Sequence, residues 1–197
     1  MIIVITPEEC IPDEIYHINE MFQEGLDMLH VRKPLMNSPE MEAFLNKIDK
    51  AFLSQVVLHS HFELASKYGI SRVHIREADR QNKKYPESFP DYLRSTSVHD
   101  IETFNVLDDH WEYAFLSPFY PSISKKGYGN RAAIREKSRQ RNNPDVKLIA
   151  LGGINETNCN ELLTENINGI ALLGAVWQDR RPVEVFRKCR NIMATQN

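Results

Sequence analysis

The chain has 197 residues, 42% apolar and 26% charged, with a net charge of −3. That is the balance of one soluble globular domain with a sizeable core. It excludes a nucleic-acid footprint spread over the whole surface, and no apolar run approaches the ~20 residues of a membrane span.

Strand-like runs recur along the chain. They are 2–6, 28–32, 56–59, 72–75, 93–98, 113–116, 147–151 and 169–176, each rich in β-branched or aromatic residues. The opening run follows Met1 directly, with no charged segment and apolar core of a secretory leader. Helical patterns fall between the runs, over 13–23, 39–51, 62–68, 100–107, 132–141, 156–164 and 183–193. Ser38 before Pro39, Asp100 ahead of Glu102, and Asn155 before Glu156 are helix-start signals. Gly25, Gly69 and Gly169 are read as turns after helices. The polar link from Ala78 to Tyr92 carries Pro86 and Pro90 and allows at most a degenerate helix.

Strands alternating with helices imply a parallel sheet covered by helices. Eight repeats imply a closed α/β (β/α)8 TIM barrel spanning 1–197 as one domain, compact against the ~250 residues typical of that fold. Cys10, Cys159 and Cys189 lie far apart and form no CxxC pair. They are read as buried or idle thiols in a reducing, cytoplasmic setting.

In such a barrel the chemistry sits at the C-terminal ends of the strands, and residues at i and i+2 share a face. Strand two ends in His30 and Arg32, strand three in His59 and His61, strand four in His74 and Arg76, strand five in Ser97 and His99. Five of the seven histidines are therefore expected at one rim. After strand seven come Gly152 and Gly153, and near the end of strand eight Leu173 and Gly174. Glycines there let backbone N–H groups approach a phosphate closely. After strand six, Ser122, Ile123, Ser124, Lys125 and Lys126 form a polar, basic loop suited to an anion. From Lys125 to Arg141 there are seven Lys or Arg residues against one acid, Glu136.

With these pieces in order, the chain resembles the thiamine phosphate synthase family, which includes the thiazole tautomerases. The resemblance rests on the stretches 29–33, 72–75, 97–99, 113–125, 150–154 and 169–175. It implies a barrel enzyme of thiamine biosynthesis. That enzyme joins hydroxymethylpyrimidine diphosphate to thiazole phosphate, releasing diphosphate with the help of Mg2+. Small phosphorylated substrates are the implied partners, with no nucleic acid or membrane. Carried over by position, Arg32, Ser97 and Lys125 match diphosphate contacts. Ser122, Ile123 and Ser124 match the loop that meets the thiazole, and Gly153 with Leu173 and Gly174 its phosphate cradle. Asp79 matches one of two magnesium-binding aspartates.

The departures cluster around the diphosphate. Ser60 stands where the family has its other metal-binding aspartate, His59 where it has an asparagine, His30 where it has a glutamine, and Pro34 where it has a lysine. A hydroxyl in place of a carboxylate removes a hard anionic ligand. These losses favour the tautomerase branch, whose proton transfer needs no diphosphate; His99 suits it as acid or base. Yet the tautomerase histidine after strand six corresponds to Pro118, which cannot carry a proton. The synthase reaction is the leading expectation, ahead of the tautomerase and of a non-catalytic phosphate-binding barrel. A metal hydrolase built on His59 and His61 with His30, His74 or His99 is a further alternative, and no acidic ligand accompanies that pair.

Overall fold

A computed structural model describes residues 1–84, 92–120 and 132–194. Eight parallel strands close into a barrel in sequence order: β1 (Ile2–Ile5), β2 (Met28–Val31), β3 (Val56–Leu58), β4 (Arg72–Ile75), β5 (Leu93–Val98), β6 (Trp111–Leu116), β7 (Lys147–Leu151) and β8 (Gly169–Leu172). The closing pair is β8 with β1, where Ala171 registers with Ile3. Outside run α1 (Glu14–Gln23), α2 (Ser38–Leu45), α3 (Ala65–Tyr68), α4 (Glu77–Gln81), α5 (Ile101–Asn105), α6 (Ala132–Ser138), α7 (Gly174–Trp177) and α8 (Pro182–Ala194).

Alternation along each strand divides the core in two. Val4, Leu29, Val31 and Leu58 face outward and pack with Ile18, Met21, Phe44 and Phe186 from the helices. Ile3, Ile5, Met28, Val57, Tyr113, Phe115, Ile149 and Ala171 form a separate inner cluster. Polar side chains on β2 to β5 share the barrel's interior: His30, His74 and Ser95 are all buried. Its lining is therefore apolar on β1, β3, β7 and β8, and polar at His30 of β2, His74 of β4 and Ser95 of β5.

Several expected elements are shorter or begin elsewhere, and local hydrogen bonds explain why. The helix expected over 39–51 stops at Leu45, and a 3-10 segment follows at Lys50–Gln55. Asp49 intervenes: its carboxylate accepts from the Ala51 N–H, and its own N–H donates to Asn19 Oδ1. Such side-chain bonds compete with a helical ladder. Asn37, not Ser38, caps α2, in a reciprocal box with Glu40. Asp100 caps α5 as expected, accepting from the Thr103 N–H at 2.6 Å.

The helix expected over 156–164 is a 3-10 turn, Cys159–Thr164, because Asn155 and Asn158 bond to nearby backbone N–H groups instead. The strand expected over 169–176 ends at Leu172, and α7 begins two residues later. Gly25 and Gly69 do take left-handed backbone after their helices. Gly169 is no helix end; it opens β8, where a Cβ would lie 2.4 Å from the Met1 carbonyl oxygen. Cys159 and Cys189 are buried and share a hydrogen bond, whereas Cys10 is exposed.

Candidate active site

The C-terminal ends of β2, β3 and β4 open into a cleft of about 380 Å³, lined among others by Arg32, His59, Ser60, His74, Arg76, Asp79 and Lys84. Arg32 is held at the end of β2 by a reciprocal clasp: its N–H donates to Thr6 Oγ1 at 2.9 Å, and that hydroxyl donates to the Arg32 carbonyl. Its guanidinium reaches Glu8 at 2.6 Å. Arg76 projects just past β4, and its Nε donates to Asp79 Oδ2 at 2.6 Å. Lys84, in the polar link after α4, adds a further cation to the lining, while the ammonium of Lys33 is buried against Glu14. Among its described lining residues the cleft is thus a cationic basin with one carboxylate.

Its floor is a cluster of imidazoles. His30 Nδ1 and His59 Nε2 lie 2.8 Å apart, and His30 Nε2 is 2.7 Å from the Tyr113 hydroxyl. His74 Nδ1 meets Ser95 Oγ at 2.9 Å and its Nε2 meets Ser97 Oγ at 3.1 Å. The rings of His59 and His74 stack with centroids 4.3 Å apart, and Phe115 packs against His30 and His74. Burial pushes all three pKa values down, and nearby positive charge adds to the effect. For His74 the fall is to about 3, with Arg32 the second cause. These rings are neutral near pH 7, so the positive charge of the cleft belongs to its arginines and lysine.

The other two rim histidines do not join them. His61 lies beyond the end of β3 in a left-handed turn, φ 55°, with Nε2 2.8 Å from the Met36 carbonyl oxygen. The i, i+2 rule fails there because the strand has already ended at Leu58. His99 follows β5, exposed, with Nδ1 2.8 Å from the Ser117 carbonyl oxygen and Nε2 3.6 Å from Glu77. His30 is fully buried and reaches the cleft only through His59. Ser97 is half-buried beside His74.

Gly152 and Gly153 follow β7 with positive φ, 101° and 67°. The backbone after β6 rests on this turn: the Phe119 N–H donates to Leu151 O and the Tyr120 N–H to Gly152 O. A Cβ on Gly152 would lie 3.0 Å from Pro118, so glycine is needed for that approach. Leu173 joins β8 to α7, and Gly174 opens α7. Ser122, Ile123, Ser124 and Lys125 lie outside the described residues.

Comparison with known proteins bears directly on this arrangement. A family model described as thiamine monophosphate synthase matches residues 1–176. The chain belongs to the thiamine monophosphate synthase family. A thiamine phosphate pyrophosphorylase from Bacteroides thetaiotaomicron is 26% identical over 100% of this chain and 98% of its own, with a TM-score of 0.80. One from Pyrococcus furiosus shares the fold at 19% identity, TM-score 0.81, covering 99% of this chain and 96% of its own. A 3-hexulose-6-phosphate synthase from Salmonella typhimurium shares it more loosely, at 12% identity and TM-score 0.67 over the full length of both chains.

Against the resemblance to this thiamine monophosphate synthase family, the donor set for magnesium is thin. Among the described residues lining the cleft, Asp79 is the one carboxylate, and Arg76 already occupies it. Ser60 contributes a hydroxyl whose buried oxygen has no hydrogen-bond partner. One engaged carboxylate and one hydroxyl do not fit a protein-held magnesium ion, which needs hard anionic oxygens.

Three features of the site were not anticipated. Lys84 carried no pattern beyond its polar surroundings. Tyr113 and Ser95 looked like ordinary strand residues; their interior position follows from the period-2 phase of β5 and β6, and that signal was readable.

Proposed function

We propose that this chain catalyses the synthase reaction of its family: the thiazole nitrogen of thiazole phosphate attacks the methylene carbon of hydroxymethylpyrimidine diphosphate. A C–N bond forms, the C–O bond to diphosphate breaks with its electron pair staying on oxygen, and the ring nitrogen becomes the thiazolium cation of thiamine phosphate. The observation that carries this reading is the convergence of Arg32, Arg76 and Lys84 on one cleft at the ends of β2 to β4.

Departure of a diphosphate concentrates negative charge on the bridging oxygen. Preorganised cations aimed at that charge lower the barrier more than they bind the ground state. Arg32 offers a forked donor and Lys84 a compact ammonium, while Lys125 is proposed to join them from the loop after β6. Each guanidinium now rests on an acid, Arg32 on Glu8 and Arg76 on Asp79. These exposed pairs are worth about 1 kcal/mol or less, so an incoming diphosphate displaces them readily. Ser97 is proposed to contact the same group, and His59 and His74 to line the space for the pyrimidine. Gly152, Gly153, Leu173 and Gly174 are proposed to cradle the thiazole phosphate through backbone N–H groups, with Ser122, Ile123 and Ser124 over the thiazole. His99, exposed and outside the cleft lining, has no step in this reaction.

The test is formation of thiamine phosphate from the two substrates, with magnesium and with EDTA, by the unmodified protein and by Arg32→Gln. Product that falls by about 100-fold or more in the variant supports the assignment. No product, with thiazole phosphate still bound, would leave a barrel that keeps the cradle without the chemistry. Isomerisation of a thiazole phosphate would instead place the chain on the tautomerase branch.

A further inference from the structure

We propose that His30, His59 and His74 bind a divalent transition-metal ion of the zinc or cobalt kind at the floor of the cleft. One nitrogen from each ring lies within 4.8 Å of one from each of the others. A tetrahedral ion at about 2.0–2.1 Å from each nitrogen holds its donors about 3.3 Å apart. To reach that spacing the His30–His59 separation of 2.8 Å opens, and any pair as wide as the 4.8 Å limit closes, by rotation of the rings.

His30 and His74 each have an outer hydrogen-bond partner on one ring nitrogen, which leaves the other for an ion. In the tautomer that ligates, His30 Nε2–H donates to the Tyr113 hydroxyl at 2.7 Å and Nδ1 is the basic nitrogen, and the ion replaces the 2.8 Å hydrogen bond between Nδ1 and His59 Nε2. In the same ligating set His74 Nδ1–H donates to the Ser95 hydroxyl at 2.9 Å, with the Val73 carbonyl 3.3 Å from that hydroxyl as its own acceptor. His74 Nε2 is then the basic nitrogen, and the Ser97 hydroxyl that now donates to it must give way to an ion. Tyr113 and Ser95 thereby act as the outer partners that orient metal-binding imidazoles. All three rings are neutral, the form that ligates.

Three imidazoles select a transition metal over magnesium or calcium. Three of the nearby cations are compensated by acids, Arg32 by Glu8, Arg76 by Asp79 and Arg72 by Glu112. His59 and His74 line the cleft while His30 lies beneath, so the fourth position faces the cleft. Three protein ligands with an open position toward substrate is the pattern of a metal that meets ligand oxygen, not of a closed structural site. This inference is independent of the synthase reading, since it concerns binding and not turnover.

The test is titration of the EDTA-treated, dialysed protein with Co2+, read by visible d–d absorption, with Zn2+ as competitor. The expected result is one equivalent bound, with affinity reduced by more than about 100-fold in His59→Gln and in His74→Gln, beyond what loss of an outer partner costs. The exposed group Asp108, Asp109 and His110 provides the control: His110→Gln leaves the affinity unchanged. Absence of stoichiometric binding overturns the proposal, as does binding lost in His110→Gln but kept in His59→Gln. Should the buried variants fail to fold, imidazole NMR of the unmodified protein decides. Zn2+ must then shift the resonances of His30, His59 and His74, and a shift confined to other histidines refutes the site.

Discussion

Acid should unfold this barrel from the inside, and the histidine floor sets the size of the effect. In the unfolded chain a histidine takes up its proton near pH 6.5. In the folded barrel, burial and Arg32 hold His74 down to about 3. Between those values the unfolded state binds more protons, so stability is complete above about pH 6.5 and falls as pH drops toward 3. Taking the protein from about pH 7.5 to about pH 5 costs about 2 kcal/mol for His74 alone, because its folded form is still neutral at the lower value. That figure depends on the unfolded pKa and hardly on the folded one. His30 and His59 are depressed for the same reason, burial first and positive neighbours second. Their contributions therefore act in the same direction as that of His74, lost as pH falls below about 6.5. Urea unfolding of metal-free protein across this range, followed by Trp fluorescence and circular dichroism, measures the slope. In His74→Gln the slope falls by one proton's share, about 1.4 kcal/mol per pH unit. A stability that is flat between pH 7 and 5, or an equal change in slope for the exposed His110→Gln, would refute the reasoning.

Ser60→Asp should restore a second carboxylate to the cleft and make thiamine phosphate formation more dependent on magnesium, read as a higher ratio of rates with metal and with EDTA. An unchanged ratio would mean that residue 60 does not face the diphosphate. Tyr113→Phe deletes the partner of His30 Nε2 and should cost about 1–3 kcal/mol in urea unfolding, the penalty of an unsatisfied buried group. Lys33 and Glu14 form a fully buried pair at 2.8 Å. Lys33→Met should cost about 3–5 kcal/mol, since it strands a buried carboxyl; Glu14→Gln with Lys33→Met should recover part of that. Gly169→Ala forces a Cβ against the Met1 carbonyl and should cost about 1–3 kcal/mol by overpacking.

Much of the barrel was legible because eight apolar runs leave few other ways to bury both faces of a parallel sheet. Element ends were less so, because they are decided by side chains such as Asp49 and Asn155 that bond to the backbone over a few residues. The same limit acts on the site. His30, His59 and His74 converge because each lies on an inward phase of its strand or just beyond it. His61 does not, because the chain has left the sheet and turned into a left-handed conformation. Periodicity carries a side chain's direction only as far as the strand runs. Nor does the sequence mark Arg76 and Asp79 as partners; their three-residue spacing across the β4–α4 turn makes them so.

The uneven interior connects this legibility to function. A barrel interior filled only with branched apolar residues would be the more stable choice, since each such side chain contributes about 1.5–3 kcal/mol when buried. Here Ile3, Ile5, Ile149 and Ala171 keep that filling on one side. Opposite them, His30, His74, Ser95 and Tyr113 form hydrogen bonds that satisfy one another. Replacing one member strands its neighbours, so the network is rigid as a unit and fragile piecewise. Rigidity is what the floor of a cleft needs when the cations above it exchange acidic partners for a ligand. Fragility predicts that Tyr113→Phe and His74→Gln, two residues that share the cluster around His30, will not add. Their combined cost in urea unfolding should fall short of the sum by more than about 0.5 kcal/mol. Strict additivity would show that the imidazoles stand as separate groups, and that the preorganised floor on which the site depends does not act as one body.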